Sequence, residues 1–215
     1  MRVLIIAPTN FQSYATAVLI KLLKDSEIEV VGVLVHSFNL SRLKNEFKRD
    51  GKRIFYKILN KIILSEKRSL NYSFETPKRY LVQSNVKPNL KSLCDLNNLY
   101  YKKVNSFSNT DLINDLISLK IDIGAFCGGG LLRNKFLDTF SFGVLNCHMG
   151  ILPKYRGMDV VEWPFLEDDN RQVGVTCHLM DEGIDTGDIL EIVKVNSDKF
   201  QDFIELREYL SGVIV

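Results

Sequence analysis

No stretch of this sequence is long and apolar enough to cross a bilayer, which takes about 20 consecutive apolar residues. The best candidate, Ile54 to Leu64, is broken by Lys57 and Lys61. The N-terminal apolar run, Val3 to Ala7, is too short for a signal-peptide core and has no small-residue cleavage site behind it. Export is not expected, and the reading is a cytoplasmic protein. The four cysteines, Cys94, Cys127, Cys147 and Cys177, include no Cys-x-x-Cys pair, and with three histidines there is no zinc-finger spacing. No metal is expected. Three of the cysteines lie in apolar, strand-like runs, where a thiol behaves as a small hydrophobe. No internal repeat is visible, and 215 residues suit a single domain, 1–215.

What the chain does have is an uneven distribution of charge. Between Ser41 and Leu90 there are 13 Lys and Arg against 4 Asp and Glu, and the remainder carries 15 basic and 22 acidic side chains. A basic insert therefore sits in an acidic body. Its bland reading is a solvated face. Attraction of phosphates, of RNA or of an anionic membrane are the functional readings. Phe47, Ile54, Phe55, Ile58 and Ile62 interleave with its lysines.

The first forty residues alternate strand and helix patterns: RVLIIA at 2–7, a helix from Tyr14 to Lys24, then IEVVGVLVH at 28–36. Continuous apolar strands joined by a helix predict an α/β fold with a mostly parallel, Rossmann-like sheet and helices on both faces. Residues 37–98 break this rhythm and read as a partly helical insertion, with Asn71 to Ser92 as loop because of Pro77, Pro88 and many polar residues. Order returns with YYKKV (100–104), a helix from Ser108 to Leu119 and IDIGAF (121–126). Gly128 to Gly130 come next, then a helical turn near Lys135 to Thr139 and FGVLNCH at 142–148. A helix within Asp159 to Glu167, limited by Pro164, precedes the strands QVGVTCHLM (172–180) and DILEIVKV (188–195) and an amphipathic segment from Gln201.

The chemistry concentrates in residues 142–190. Side chains alternate along a strand, so Asn146 and His148 project to one side, at the strand end where ligands of such sheets bind. This places an amide donor beside an acid/base group. Asp185, on a loop held by Gly183 and Gly187, is both a turn residue and a candidate partner for the histidine. His36 and His178 read as structural histidines.

Asn-x-His at 146–148, Leu-Pro-x-Tyr-Arg-Gly at 152–157 and Asp-x-Gly-Ile-Asp-Thr-Gly-Asp at 181–188 together resemble the folate-dependent formyltransferase family. That family includes methionyl-tRNA, glycinamide ribonucleotide and nucleotide-sugar N-formyltransferases. The resemblance implies formyl transfer from N10-formyltetrahydrofolate to an amine, with Asn146, His148 and Asp185 catalytic and no metal. The reaction passes through a tetrahedral oxyanion, which Asn146 is suited to stabilise, while a proton moves between nitrogens, a task suited to His148. The resemblance also places the folate against Gly130, Leu131, Leu132 and the loop from Asp181 to Asp185. It places the acceptor against Gln12, Tyr155, Arg156 and Gly157.

The loop after the first strand, Ala7 to Ser13, lacks the glycine-rich phosphate loop of glycinamide ribonucleotide enzymes. Methionyl-tRNA enzymes resemble the Tyr-Arg-Gly pattern but continue into a C-terminal barrel, whereas this chain stops at Val215. The expected acceptor is therefore a nucleotide-linked amino sugar, a dTDP-4-amino-4,6-dideoxyhexose. The alternatives are a methionyl-tRNA formyltransferase, or a non-catalytic module binding RNA or a membrane surface through the basic insert. A homodimer is the default assembly.

Overall fold

Residues 1–8, 13–37, 89–128 and 131–215 are described by a computed structural model. Most of the basic insertion, together with Gln12 and Gly130, lies outside the described residues. The chain opens with β1 (Arg2–Ala7), α1 (Ser13–Asp25) and β2 (Glu29–His36). It resumes with α2 (Leu90–Leu96), β3 (Tyr100–Val104), α3 (Thr110–Ser118) and β4 (Ile123–Phe126). The second half contains α4 (Asn134–Leu137), β5 (Gly143–His148), α5 (Trp163–Leu166), β6 (Gly174–Leu179), β7 (Ile189–Lys194) and α6 (Phe203–Val213).

One seven-stranded sheet runs in the order β3-β2-β1-β4-β5-β6-β7. The first five strands in that order are parallel neighbours, and β6 and β7 are added antiparallel. The α/β, mostly parallel expectation therefore holds. Alternation along β1 distributes its side chains between two cores. Leu4 and Ile6 pack with Leu34, Phe136 and Val144, whereas Ile5 and Ala7 pack with Ala17, Val33, Val35 and Leu90. A third core of Val161, Val173, Val175, Leu206 and Leu210 joins α6 to the antiparallel end. The winding direction reverses between β1 and β4, and ligands of open α/β sheets bind beyond the carboxyl ends of the strands flanking such a reversal.

The helices begin where polar side chains satisfy orphan backbone amides. Asn109 Oδ1 accepts from Leu112 N at 3.0 Å to start α3, whose Leu112 and Leu116, one turn apart, are buried. Asp202 Oδ1 accepts from Glu205 N at 2.8 Å to start α6.

Two local expectations are corrected. Within the segment read as loop up to Ser92, Leu90 begins α2: Asn89 Oδ1 accepts from Ser92 N at 3.1 Å, and Leu90 and Cys94 are fully buried. An N-cap and two apolar residues four apart outweigh the loop-like composition before them. Pro164 does not limit a longer helix but stands in the first turn of the short α5, where its missing N–H leaves nothing unpaired.

Candidate active site

β5 and β6 are antiparallel neighbours, in a register that sets Asn146 opposite His178 and His148 opposite Thr176. Asn146 and His148 share one face, and the loop following β6 brings Asp185 over it. Asp185 Oδ2 lies 3.5 Å from His148 Nδ1, and Oδ1 lies 3.5 Å from both His178 Nε2 and Asn146 Nδ2. The structure thus brings the three expected residues together. These contacts are long for hydrogen bonds, as catalytic pairs often are before substrate closes a site.

The tautomers follow from the partners. His148 Nε2 lies 2.7 Å from the Tyr155 carbonyl oxygen, which only accepts, so Nε2 carries a proton. Nδ1, facing Asp185, is the nitrogen left to exchange one. His178 Nδ1 donates to the Leu179 carbonyl at 2.8 Å; Nε2 of the neutral ring accepts from Asn146 Nδ2 at 3.1 Å, and Nε2 of the protonated ring faces Asp185 Oδ1 as a donor. The Asn146 amide is thereby oriented.

Asp185 is held by more than its neighbours' charge. Its Oδ2 accepts from Gly157 N at 2.8 Å, and its backbone has φ of 51°. Burial works to raise its pKa, but hydrogen bonding with His178 and the Gly157 amide, and the two nearby imidazoles, bring it below the ordinary carboxylate value. The same carboxylate raises His178 above the usual histidine value, against the cost of burial. A charged Asp185 between two imidazoles is the resting arrangement these shifts favour.

His178 is 1% exposed and fully hydrogen-bonded, as a structural histidine would be, yet it touches both Asn146 and Asp185. The sequence signal was the alternation of QVGVTCHLM, which puts Thr176 and His178 on one face. Which strand that face would meet was not in the pattern. Thr176 supports the loop after β5: its hydroxyl donates to Gly150 O at 2.7 Å and accepts from Leu152 N at 3.1 Å.

The remaining candidates divide by what faces the cluster. Tyr155 contributes its carbonyl but not its side chain: the ring is buried and the hydroxyl donates to Glu167 Oε2 at 3.0 Å. Gly157 is present through its N–H, and Arg156 is exposed. The Leu132 side chain is in the core beside Phe136, so only its backbone is free to meet a ligand, while Leu131 is exposed. Asp181 holds its own loop, accepting from Gly183 N at 2.9 Å and Thr186 Oγ1 at 2.6 Å. Glu182 Oε1 accepts from Asn134 N at 3.0 Å and ties that loop to α4.

Among the described residues, no group of three or more His, Cys, Asp or Glu is placed to hold a metal ion, and no helix is long and apolar enough to cross a membrane. A cavity of about 340 Å³ lined by Phe165, Phe200, Phe203 and Leu206 shares no residue with the polar cluster.

The family described as formyl transferase matches residues 1–207. A methionyl-tRNA formyltransferase from Finegoldia magna is 35% identical over 109 residues, covering 51% of this chain and 34% of that protein. One from Clostridioides difficile is 32% identical over 125 residues, covering 58% and 40%. The chain spans about a third of the length of such relatives. Among solved structures, glycinamide ribonucleotide transformylase 1 from Symbiobacterium toebii superposes with a TM-score of 0.60 at 14% identity, over 99% of this chain and 81% of that one. A sugar N-formyltransferase from Shewanella sp. gives 0.53 at 16%, over 98% and 63%. At such identities these two similarities speak for the fold alone.

Proposed function

The chain belongs to the formyl transferase family, and from that premise we propose that residues 1–215 act as one catalytic domain moving a formyl group from N10-formyltetrahydrofolate to an amine. The observation that carries the reading is the Asp185 carboxylate lying between His148 and His178, with the Asn146 amide beside it. In this mechanism the acceptor amine attacks the formyl carbon, and Asn146 donates to the oxyanion that forms. The amine's proton passes toward His148 Nδ1 and Asp185, and is returned to the donor nitrogen as the carbon–nitrogen bond breaks. The His148 Nε2–H bond to Tyr155 O keeps the ring from turning as this happens. The folate would lie along backbone groups of the 130–132 segment and the Asp181–Asp185 loop, and Gly157 and Arg156 would face the acceptor.

The acceptor we favour is a nucleotide-linked amino sugar. The Tyr-Arg-Gly and Gly-Ile-Asp-Thr-Gly-Asp motifs are consistent with this choice, and the absence of a glycine-rich loop after β1 disfavours glycinamide ribonucleotide. The reading of methionyl-tRNA as acceptor is favoured by a different observation, the 35% identity to an enzyme named for that substrate. The deciding assay incubates purified protein and N10-formyltetrahydrofolate with dTDP-4-amino-4,6-dideoxyglucose or with methionyl-tRNA, following loss of the free amine. Formylation of the sugar is expected. Formylation of the tRNA alone would refute the acceptor and keep the mechanism, and formylation of neither, with salt-sensitive binding to RNA, would refute catalysis.

A further inference from the structure

The face of the β5–β6 pair opposite the polar cluster carries two thiols. Cys147 and Cys177 stand directly across from one another, each flanked by cluster residues: Asn146 and His148 on β5, Thr176 and His178 on β6. Antiparallel pairs alternate between hydrogen-bonded positions and closer, non-hydrogen-bonded ones. Met180 N donates to Val144 O at 2.8 Å, so positions 146/178 and 148/176 share that hydrogen-bonded phase and 147/177 is a close pair. Close pairs have Cα atoms about 4.5 Å apart, inside the span that a disulfide bridges without backbone rearrangement. The neighbouring Cys177 thiol raises Cys147, and both residues are half-buried.

We propose that Cys147 and Cys177 are a reversible thiol-modification site, closing to a disulfide on reaction with small-molecule disulfides and so tying together the two strands that carry Asn146, His148 and His178. Burial, and then the neighbouring Cys177, push the Cys147 thiol up to about 12, which disfavours Cys147 as the attacking thiolate. The Cys177 sulfur, deprotonated, attacks one sulfur of the small disulfide and releases one small thiol, leaving a mixed disulfide on Cys177. Cys147 then gives up its proton, attacks the Cys177 sulfur and expels the second small thiol. Two protein thiols are oxidised and one small disulfide is reduced. The bridge draws the two Cβ atoms in to about 3.8 Å, and the shift passes to the side chains on the opposite face, one residue away on each strand.

A third cysteine constrains the assignment. Cys127 follows β4, whose register places Phe126 beside Asn146, so Cys127 continues the row on the other side of Cys147. Its thiol packs in the core beneath α1 and α2, where burial pushes it up to about 11. Cys94 is fully buried in that same core. Cys147–Cys177 is the pair that meets the bridge geometry.

The test treats the full reduced chain with glutathione disulfide and maps the products by alkylation, proteolysis and mass spectrometry. The expected result is loss of two of the four free thiols to one Cys147–Cys177 bridge, with a rise in Tm of several degrees that a reductant reverses. With only three histidines in the chain, their imidazole NMR signals report on the cluster without reference to turnover. His148 and His178 are expected to move on oxidation and His36 to stay. Cys177→Val and Cys147→Val should each keep the reduced-state histidine spectrum and form no bridge. Glutathione adducts without an internal bridge, a bridge to Cys127 or Cys94, or unmoved His148 and His178 signals in the bridged protein would each overturn the proposal.

Discussion

Gly150→Ala tests the geometry that fixes His148. A Cβ at this position would lie 2.7 Å from His148 Nε2, 2.8 Å from Tyr155 O and 2.8 Å from Val160 Cγ2. It would press on the atoms of the 2.7 Å hydrogen bond that sets the imidazole's tautomer. Neither a backbone carbonyl nor a ring held at 9% exposure has room to give way. Overpacking costs about 1 to 3 kcal/mol, and a buried polar pair pulled apart costs about 1 to 3 kcal/mol more. Together, about 2 to 6 kcal/mol should be lost. With a typical slope of about 2 kcal/mol per molar urea, the midpoint of unfolding falls by about 1 to 3 M. If the ring is displaced by about 1 Å, formyl transfer slows roughly a hundredfold. Gly157→Ala is the control for packing alone. Nothing lies within 4 Å of its added Cβ, so its cost comes from backbone strain at φ of 93° and should be about 1 to 2 kcal/mol. Urea titration and steady-state formylation of both variants decide the matter. A Gly150→Ala protein with the parent's urea midpoint would refute the packing argument, and one that is destabilised but fully active would refute the positioning of His148.

Three more outcomes follow from named contacts. Asn146→Ala removes the proposed oxyanion donor and should lower kcat by two to three orders of magnitude, about 3 to 4 kcal/mol, with a smaller change in KM; near-parental kcat rejects that role. Asp185→Asn should flatten the pH dependence of stability at both ends. Asp185's lowered pKa adds stability above its ordinary value of 3.8 that is lost as pH falls through the depressed folded value. His178's raised pKa adds stability present below 6.5 that is lost as pH rises through the elevated folded value. Urea midpoints from acid to mildly alkaline pH should show both limbs in the parent and shallower ones in the variant, in which Glu162 and Glu167 still titrate below the ordinary value. Arg207→Met breaks the fork in which Nε and Nη2 meet Glu162 at 2.7 and 2.5 Å, joining α6 to the segment before α5. With both side chains about a third exposed, the loss should be only about 0.5 to 1 kcal/mol, and a drop of several kcal/mol in thermal unfolding contradicts that screening.

Much of this molecule was legible because short-range patterns dictate it. The apolar runs of β1, β2 and β4 announce strands buried on both faces. Asn109 before Leu112 and Leu116, like Asp202 before Leu206 and Leu210, marks a helix start and its buried stripe. Local composition misled at Leu90, where a cap and two apolar residues were embedded in a polar stretch, and at Pro164, which begins a turn of helix as readily as it ends one.

Asn146 and His148 share a face because side chains alternate along any strand, a property of the chain by itself. Asp185 was marked only by its motif. That His178 stands opposite Asn146, and Cys177 opposite Cys147, depends on the pairing register of two strands more than twenty residues apart. A slip of one residue would exchange those faces. The tautomer of His148 rests on a carbonyl that the turn at Tyr155 carries back to it, and the orientation of Asp185 on the Gly157 amide. Local sequence therefore determined which groups were available for proton transfer and oxyanion binding. Only the tertiary structure decided which of them meet, because hydrogen bonds and ion pairs act over a few ångströms, and long-range packing alone brings residues so far apart in sequence within that distance.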